Sequence, residues 1–302
     1  MSGNGQLVLG PIPYLWEPSV WRDFYFRIAD EAPVDTVVVG EVVCSKRLHF
    51  HAPHEEVVVN RLKDAGKSVR RAGLGLTTLK RERQHQAKLL ENAVDPIEAA
   101  DISTLLGVSG RPHIIGPMMN TYSAATAGVY AARGAKLICL PPELPLASIE
   151  EIARHAADVE IEVLVFGRTP LAISARCAHA RAKGHTKDDC RFVCGEDPDG
   201  MPVRTLDGQD FLTLNGVQTM SHTCHLVTSE LPRLRQAGVL HFRLSPQNCD
   251  MVGVTRIFRS LLDGETTSAE AKSQLEAVYP NVPFSNGFLY GREGAKWINA
   301  GA

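Results

Sequence analysis

Apolar and polar positions alternate along this chain in short blocks. Eight apolar runs have the length of β-strands, and they span residues 6–12, 34–44, 68–76, 96–101, 113–119, 135–141, 161–167 and 240–246. Stretches with helical periodicity lie between them, at 17–30, 54–65, 78–92, 122–133, 147–157, 229–236 and 249–263. Strands that alternate with helices in this way predict successive βαβ units on a parallel sheet.

Eight such units favour an α/β fold of the (β/α)8, TIM-barrel-like kind over an open doubly wound sheet, which usually has fewer strands. We predict that residues 1–265 form this single barrel domain. It carries an insertion after strand seven, at about 168–239, in which alternating segments on both sides of Asp207-Gly208 indicate a β-hairpin. Residues 266–302 are predicted to form a C-terminal tail that packs on the barrel or on a partner.

The tail holds four aromatic residues without an obvious core: Phe284, Phe288, Tyr290 and Trp297. Because unexplained apolar surface often marks a partner site, the tail is a candidate association surface. A position against the barrel floor is the alternative.

Composition narrows the class of protein further. The 302 residues are 44% hydrophobic and 22% charged, as in an ordinary globular protein of enzyme size. A net charge of -2 gives no electrostatic footprint for polyanions, so nucleic acid is not an expected partner. The N-terminal residues lack the basic start and apolar run of a secretory signal, and no transmembrane segment is predicted. A cytoplasmic protein is expected, in which the cysteines are thiols, catalysts or metal ligands rather than disulfides.

Four of the seven cysteines are candidates for one site. Cys44 ends the second strand-like run and Cys177 follows the seventh, so both are predicted at the rim where the carboxyl ends of barrel strands meet. Cys190 and Cys194 lie in the insertion that starts from this rim and could fold back to complete four thiolates. Zinc takes four thiolates too, usually from paired Cys-x-x-Cys motifs, whereas a [4Fe-4S] cluster accepts dispersed all-sulfur ligands. The spacing leaves a cluster, zinc and unrelated thiols open.

The other cysteines are interpreted as structural. Cys139 lies in an apolar run and is expected to be a small buried hydrophobe. Cys224, within SHTCH, is expected on a partly exposed surface turn, and Cys249 at the start of the last helix. In HFHAPHEE (49–56), Pro53 is expected to prevent a helix that would align two histidine ligands, so this segment is interpreted as a helix entry.

Several segments resemble the UbiV family of the peptidase family U32-like proteins, which acts in oxygen-independent ubiquinone biosynthesis. They are GEVVCSKR (40–47), FGRTPLAISARC (166–177), KDDCRFVC (187–194), LNGVQTMS (214–221) and RLSPQ (243–247). The resemblance runs from GPIPYLW at 10–16 to NGFLYGREG at 286–294 and so covers nearly the whole chain. It implies that Cys44, Cys177, Cys190 and Cys194 bind a [4Fe-4S] cluster. The departure is the run 68–76, where Arg70 and Arg71 stand in a strand expected to be more apolar.

The resemblance also implies a heterodimer with a UbiU-like subunit that carries its own cluster. Together the two chains would hydroxylate the ring of ubiquinone precursors without O2, with prephenate as the oxygen donor and a UbiT-like lipid-binding protein assisting. The alternative is a noncatalytic subunit whose Fe-S or zinc site only staples the insertion to the barrel. Peptidase activity is not expected, because GVSG at 107–110 is one residue short of a nucleophile elbow.

Five residues near predicted strand ends could meet a carboxylated oxygen donor, since its charge would suit the cations among them. A structural role is the first interpretation of each one: Glu41, Lys46, Arg176, Asn120 and Tyr122.

Overall fold

Eight parallel strands close into a ring. The computed structural model describes residues 5–91, 93–156 and 158–299. The strands in these ranges are β1 (Gln6–Leu9), β2 (Thr36–Val39), β3 (Ser68–Ala72), β4 (Ile97–Ala99), β5 (His113–Ile115), β6 (Ala135–Cys139), β7 (Glu160–Ile173), β8 (Met201–Arg204), β9 (Asp210–Asn215), β10 (Gln218–Leu226), β11 (His241–Leu244) and β12 (Phe284–Ser285). β1 to β7 pair in sequence order, and β11 closes the ring between β7 and β1. The predicted (β/α)8 barrel is confirmed, and each predicted run overlaps one barrel strand.

Helices follow the barrel strands. They are α1 (Pro18–Glu31), α2 (Leu48–Asp64), α3 (Lys80–Glu91), α4 (Ile102–Val108), α5 (Ala124–Ala132), α6 (Leu146–His155), α7 (Ala178–Ala182), α8 (Leu231–Gln236), α9 (Met251–Asp263) and α10 (Ser268–Val278). Seven of these were predicted, whereas α4, α7 and α10 were not. Cys249 precedes α9, which is not the last helix because α10 follows it.

Helix α2 corrects the expectation for the histidine-rich segment. It begins at Leu48, directly after a 3-10 turn at Ser45–Arg47, and contains Pro53. The expectation that Pro53 prevents a helix here is wrong. Proline removes one N–H donor, and early in a helix of this length the remaining turns can carry that loss. His51 is buried and stacks on Trp21 with ring centroids 4.9 Å apart, which is a packing role.

The insertion extends the sheet beyond the barrel. β7 runs on to Ile173, and its outer half pairs antiparallel with β10. β9 pairs with β10 and β8 with β9, so a hairpin at Asp207-Gly208 joins β8 and β9 as predicted. SHTCH lies within β10, where Cys224 is fully buried. The expected surface turn is therefore wrong, because β7 and β12 cover both edges of this part of β10.

The C-terminal segment packs on its own barrel. β12 pairs in parallel with β10, and Phe284 is buried with its ring centroid 6.3 Å from that of Phe166. Tyr290 and Trp297 are half-buried against the same core, and Phe288 is half-buried as well. Of the two positions that the sequence left open for these aromatic residues, on the barrel or on a partner, the contacts show a position on the barrel.

Side chains of the barrel strands alternate between two environments. Leu7 and Leu9 of β1 belong to the main core between sheet and helices, whereas Val8 clusters with Val38 and Ala72 inside the ring. The same alternation places Arg70 of β3 inside the barrel. Its neighbour Arg71 turns outward, where its Nη2 lies 2.6 Å from a carboxylate oxygen of Glu55 on α2.

Candidate functional site

The four predicted cysteine ligands line one small cavity. Cys44 lies between the end of β2 and the 3-10 turn Ser45–Arg47, and Cys177 is the N-cap residue of α7. Cys190 and Cys194 lie in the loop after α7, and all four side chains face the same space. Cys177 is buried and the other three are half-buried. The predicted site residues are thus brought together by the fold, in what we call the thiol cavity.

Within the described ranges, the structure contains no group of three or more His, Cys, Asp or Glu side chains whose positions could already hold a metal ion. The ligand assignment therefore stays a prediction, supported by the chemistry of the donor set. Four sulfur donors facing one space suit either a cluster or zinc.

Local backbone geometry turns the cysteine loop back toward the barrel. Arg191 and Phe192 both adopt left-handed conformations, with φ of 47° and 55°, between Cys190 and Cys194. Lys46, in the 3-10 turn after β2, connects this loop to the barrel. Its Nζ donates to the carbonyl oxygens of Lys187 at 2.5 Å and Asp188 at 3.1 Å.

A second set of contacts fixes α7. The backbone N–H of Ala180 donates to Cys177 Sγ at 3.3 Å, which orients this sulfur. His179 is buried, and its Nε2 lies 2.9 Å from a carboxylate oxygen of Asp197. Burial lowers the pKa of His179, and the hydrogen bond to Asp197 opposes that change. The loop is thus anchored at both ends, independently of any bound group.

Arg47 is the one arginine that lines the thiol cavity, and it is 1% exposed. Its Nη1 donates to the carbonyl oxygen of Pro13 at 2.7 Å, and its Nη2 donates to Asn215 Oδ1 at 2.8 Å. Its Nε is buried without a hydrogen-bond partner. Gly216 leaves room for this guanidinium, because a Cβ there would lie 2.6 Å from Nη2.

Burial affects the charge state of two of the four thiols, Cys44 and Cys177. It raises the pKa of Cys44, an effect that the guanidinium of Arg47 opposes, and it raises the pKa of Cys177 as well. Both side chains are therefore held as thiols until a cation replaces their protons. Burial also raises the pKa of Glu41, which accepts hydrogen bonds from the backbone N–H groups of Val43 at 2.8 Å and Cys44 at 3.0 Å.

A second cavity, of about 80 Å³, opens at the carboxyl ends of the barrel strands. Its apolar wall includes Val42, Met118 and Met220, and its charged lining residues are Glu98, Arg168 and Arg243. We call it the mouth cavity. It lies close to the thiol cavity, because Val42 lines the first and Cys44 the second, and two extended residues span only about 7 Å.

Four buried charges fill the barrel below the mouth cavity. Arg70 Nη1 lies 2.7 Å from Glu162 Oε2, and Arg243 Nε lies 2.5 Å from Glu162 Oε1. Arg243 also binds Glu98 through both terminal nitrogens, one of them at 3.0 Å. Burial alone would raise the pKa of Glu162, but Arg243 and Arg70 outweigh it and lower the pKa to about 2. The sequence signal for this network was a charged residue within an apolar strand. Arg70 is charged where an apolar residue was expected because it faces inward and pairs with Glu162.

Arg168 also lines the mouth cavity, but it is not part of this network. Its Nη2 lies 2.9 Å from Asp199 Oδ2, and its Nη1 donates to the carbonyl oxygen of Ser221 at 3.3 Å. Its Nε is buried without a partner. Sequence reasoning missed this residue because an arginine at the end of a strand gives no distinctive local pattern.

The five predicted rim residues separate into three groups. Glu41 and Lys46 support the thiol cavity, and Arg176 is exposed. Asn120 and Tyr122 line a cleft beside the mouth cavity, where the hydroxyl of Tyr122 donates to Glu143. Burial and the Glu143 carboxylate raise the pKa of Tyr122 to about 12, so it stays protonated at neutral pH.

The remaining cysteines lie elsewhere. Cys139 is buried at the end of β6, as expected, and reaches the mouth cavity. Burial raises the pKa of Cys224, and Cys249 Sγ lies 3.7 Å from Met251 Sδ.

The fold and site define a class: a (β/α)8 barrel with a cysteine-lined cavity and a charged mouth at one rim. The model of Peptidase family U32 matches residues 25–299, and the chain belongs to this family. Among solved structures, a mutant tryptophan synthase α-subunit from Pyrococcus furiosus is similar at 10% identity and a TM-score of 0.42, covering 90% of this chain and 96% of that one. The spore cortex-lytic enzyme SleL from Bacillus cereus is similar at 8% identity and a TM-score of 0.30, covering 93% of this chain and 76% of that one.

Within the described ranges, no helix combines the length and the apolar character needed to cross a bilayer.

Proposed function

We propose that this protein is the [4Fe-4S] subunit of a cytoplasmic, heterodimeric hydroxylase that acts on ubiquinone precursors without O2. Its partner would be a UbiU-like chain, prephenate would be the oxygen donor, and a UbiT-like lipid-binding protein would assist. The observation that carries the proposal is the thiol cavity, in which Cys44 faces the same space as three cysteines from a distant segment of the sequence. The reaction class is what the sequence resemblance implies, and membership of Peptidase family U32 does not by itself specify it.

The donor set fits a cluster in two respects. All four candidate ligands are sulfur, and the cavity contains the buried guanidinium of Arg47, whose charge would offset that of a thiolate-bound group. When bound, a cluster closed by four protein thiolates would supply one-electron transfer. The chain itself holds the ligand loop in place through Lys46 and His179.

The mouth cavity is the proposed place for the small molecules. Its apolar walls suit an aromatic ring. Arg243 and Arg168 are held rigidly by Glu98, Glu162 and Asp199, so the positions of their guanidinium groups at the cavity wall are fixed before anything binds. The short separation from the thiol cavity suits electron transfer between the two places.

The same cavity argues against the activity in the family's name. Among the described residues, its lining includes Ser245 and Cys139 as possible nucleophiles but no histidine that could act as their base. We therefore do not expect peptidase activity.

Iron and sulfide analysis after anaerobic purification tests the proposal. We expect iron and sulfide in the ratio of a [4Fe-4S] cluster in the wild-type protein, and loss of both in Cys44→Ala. Cys249→Ala is the matched control, because its thiol lies outside the thiol cavity, and it should keep the full content. Tightly bound zinc in place of iron, or iron retained by Cys44→Ala, would contradict the cluster assignment.

A noncatalytic subunit is the second candidate. The bonds from Lys46 to the loop carbonyls favour it, because they connect the insertion to the barrel beside the four cysteines. A redox-active cluster should be reduced and reoxidised reversibly, and its loss should abolish anaerobic quinone synthesis. A cluster that never changes oxidation state would support the structural role.

A further inference from the structure

Arg47 is a buried cation with no carboxylate in direct contact. Its two terminal nitrogens bind neutral oxygens of Pro13 and Asn215, and its Nε is buried without a hydrogen-bond partner. Glu41 interacts with it only through space, since the Glu41 carboxylate accepts from backbone N–H groups instead. A buried charge is expensive unless something compensates it. The groups that remain to do so are the thiols, and the interactions of Arg47 include Cys194 and Cys44.

We propose that Arg47 is a positioning residue whose charge compensates the thiolate-bound group in the thiol cavity and raises its reduction potential. The inference rests on the proposed function, because it assumes that a cluster binds there. It goes further by assigning a residue that is not a ligand.

The sign follows from electrostatics. Reduction adds one electron to a group that four thiolates already make negative, so a nearby positive charge stabilises the reduced form more than the oxidised form. Burial strengthens this effect because solvent screens a buried charge less than an exposed one. Hydrogen bonds to ligand sulfur act in the same direction, and Nε is a donor without a partner.

The surroundings hold the guanidinium in one place. Asn215 Nδ2 donates to the same Pro13 carbonyl oxygen at 2.7 Å and to Gln218 Oε1 at 3.3 Å. The side chain of Arg47 is therefore fixed by a buried network that continues to the wall of the mouth cavity, which Pro13 and Gln218 also line. A lysine would keep the charge but could not make this pair of directed bonds.

Redox titration followed by EPR measures the predicted effect. In Arg47→Gln we expect the equilibrium constant for reduction to fall at least tenfold, which is 59 mV for a one-electron couple. Arg181→Gln is the control, because it removes the same charge from an exposed position on α7. Solvent screens a charge at that position, so the equilibrium constant for reduction of Arg181→Gln should stay within twofold of the wild-type value.

A second measurement separates compensation from simple packing. The rise in Tm on cluster loading should be smaller in Arg47→Gln than in wild type, since the cation and the cluster would stabilise each other. A residue that only packs would lower the Tm of the apo and loaded proteins equally. Arg47→Lys should keep the potential near that of wild type while its apo protein melts earlier.

Three results would overturn the inference. They are an unchanged potential in Arg47→Gln, an undiminished rise in Tm on loading, and an apo-folded Arg47→Lys protein that does not retain the cluster. Failure of the proposed function is distinguishable, because in that case the wild-type protein itself contains no iron or sulfide.

Discussion

Glu162 shows at the scale of one residue how a charged barrel interior is stabilised. It is fully buried, yet both of its carboxylate oxygens have guanidinium partners, one from Arg70 and one from Arg243. Removing one member of such a group leaves the others uncompensated, which is far more destabilising than the group is stabilising. The residue is therefore essential to its neighbours even if an apolar interior of equal volume would be as stable.

We predict that Glu162→Gln lowers the free energy of unfolding by about 3 kcal/mol at pH 7, measured by urea denaturation of the apo protein. Glu276→Gln is the control, because Glu276 is exposed beside Lys272 and such surface pairs contribute less than about 1 kcal/mol. Equal effects of the two substitutions would show that the interior network carries no special weight.

The same substitution has a predictable pH dependence. The pKa of Glu162 is lowered from 4.5 to about 2 by folding. A lowered pKa contributes stability that is complete above pH 4.5 and is lost as the pH falls from there toward 2. The difference between wild type and Glu162→Gln should therefore shrink across this window. A difference that grows on acidification would contradict the sign of the shift.

At the scale of elements, the turn between β9 and β10 is where the thiol cavity meets the insertion. Gly216 lies there with φ of 63°, and its hydrogen faces Nη2 of Arg47. A side chain at this position meets two difficulties, since the backbone is left-handed and the guanidinium occupies the space. The glycine thus lets the insertion close over the cation.

We predict that Gly216→Ala displaces Arg47 and lowers cluster content as well as stability. Gly264→Ala isolates the backbone effect, because Gly264 has φ of 77° and open space where a Cβ would lie. Each left-handed alanine costs roughly 1–3 kcal/mol, and only Gly216→Ala should add the clash. Iron analysis and urea denaturation of both variants check this; equal loss in the two would exclude a role for the clash.

Most elements could be predicted from the sequence, and the failures have physical causes. All eight barrel strands follow from runs rich in apolar residues, because their outward faces pack beneath the helices. The inward face is partly charged, as Arg70 and Glu162 show. β7 extends past its predicted end at 167, since Arg168 and Pro170 break the apolar run although β10 pairs with both. Helix α10 was missed in the tail, where the capping box of Thr267 and Glu270 was the available signal.

The residues of the candidate site were likewise predicted only in part. The four cysteines were predicted from spacing, position and resemblance, because residues at strand ends meet at one rim in any barrel. Arg47 and Asn215 could not be predicted, since their partnership joins positions 168 residues apart through side chains whose sequence neighbours show no pattern. The prediction of a surface turn at SHTCH was wrong because the polar groups of this segment are buried and satisfied by strand pairing. The hydrogen bond between Thr223 and Ser285 is one such contact.

At the scale of the whole molecule, the C-terminal segment is part of the barrel. Asn286 Nδ2 donates to the carbonyl oxygen of Ile298 at 2.9 Å, and the backbone N–H of Ile298 returns a bond to Asn286 Oδ1 at 2.7 Å. Tyr290 Oη donates to Glu230 at 2.7 Å, which ties the segment to the start of α8. These bonds change what truncation should do, because the segment is no longer free to serve only a partner.

We predict that removal of residues 284–302 destabilises the isolated subunit, whatever its effect on pairing with a UbiU-like chain. Loss of Phe284 alone should lower the free energy of unfolding by about 3–5 kcal/mol, since a buried phenylalanine leaves a cavity behind. Phe284→Ala tests this step against Phe211→Ala, whose side chain is exposed on β9 and should have little effect. Size-exclusion chromatography of the co-expressed pair then measures association, with a one-to-one heterodimer expected for the full chain. A truncated subunit that unfolds at the wild-type urea concentration yet no longer pairs would contradict this prediction. It would indicate that the segment serves as a partner surface instead.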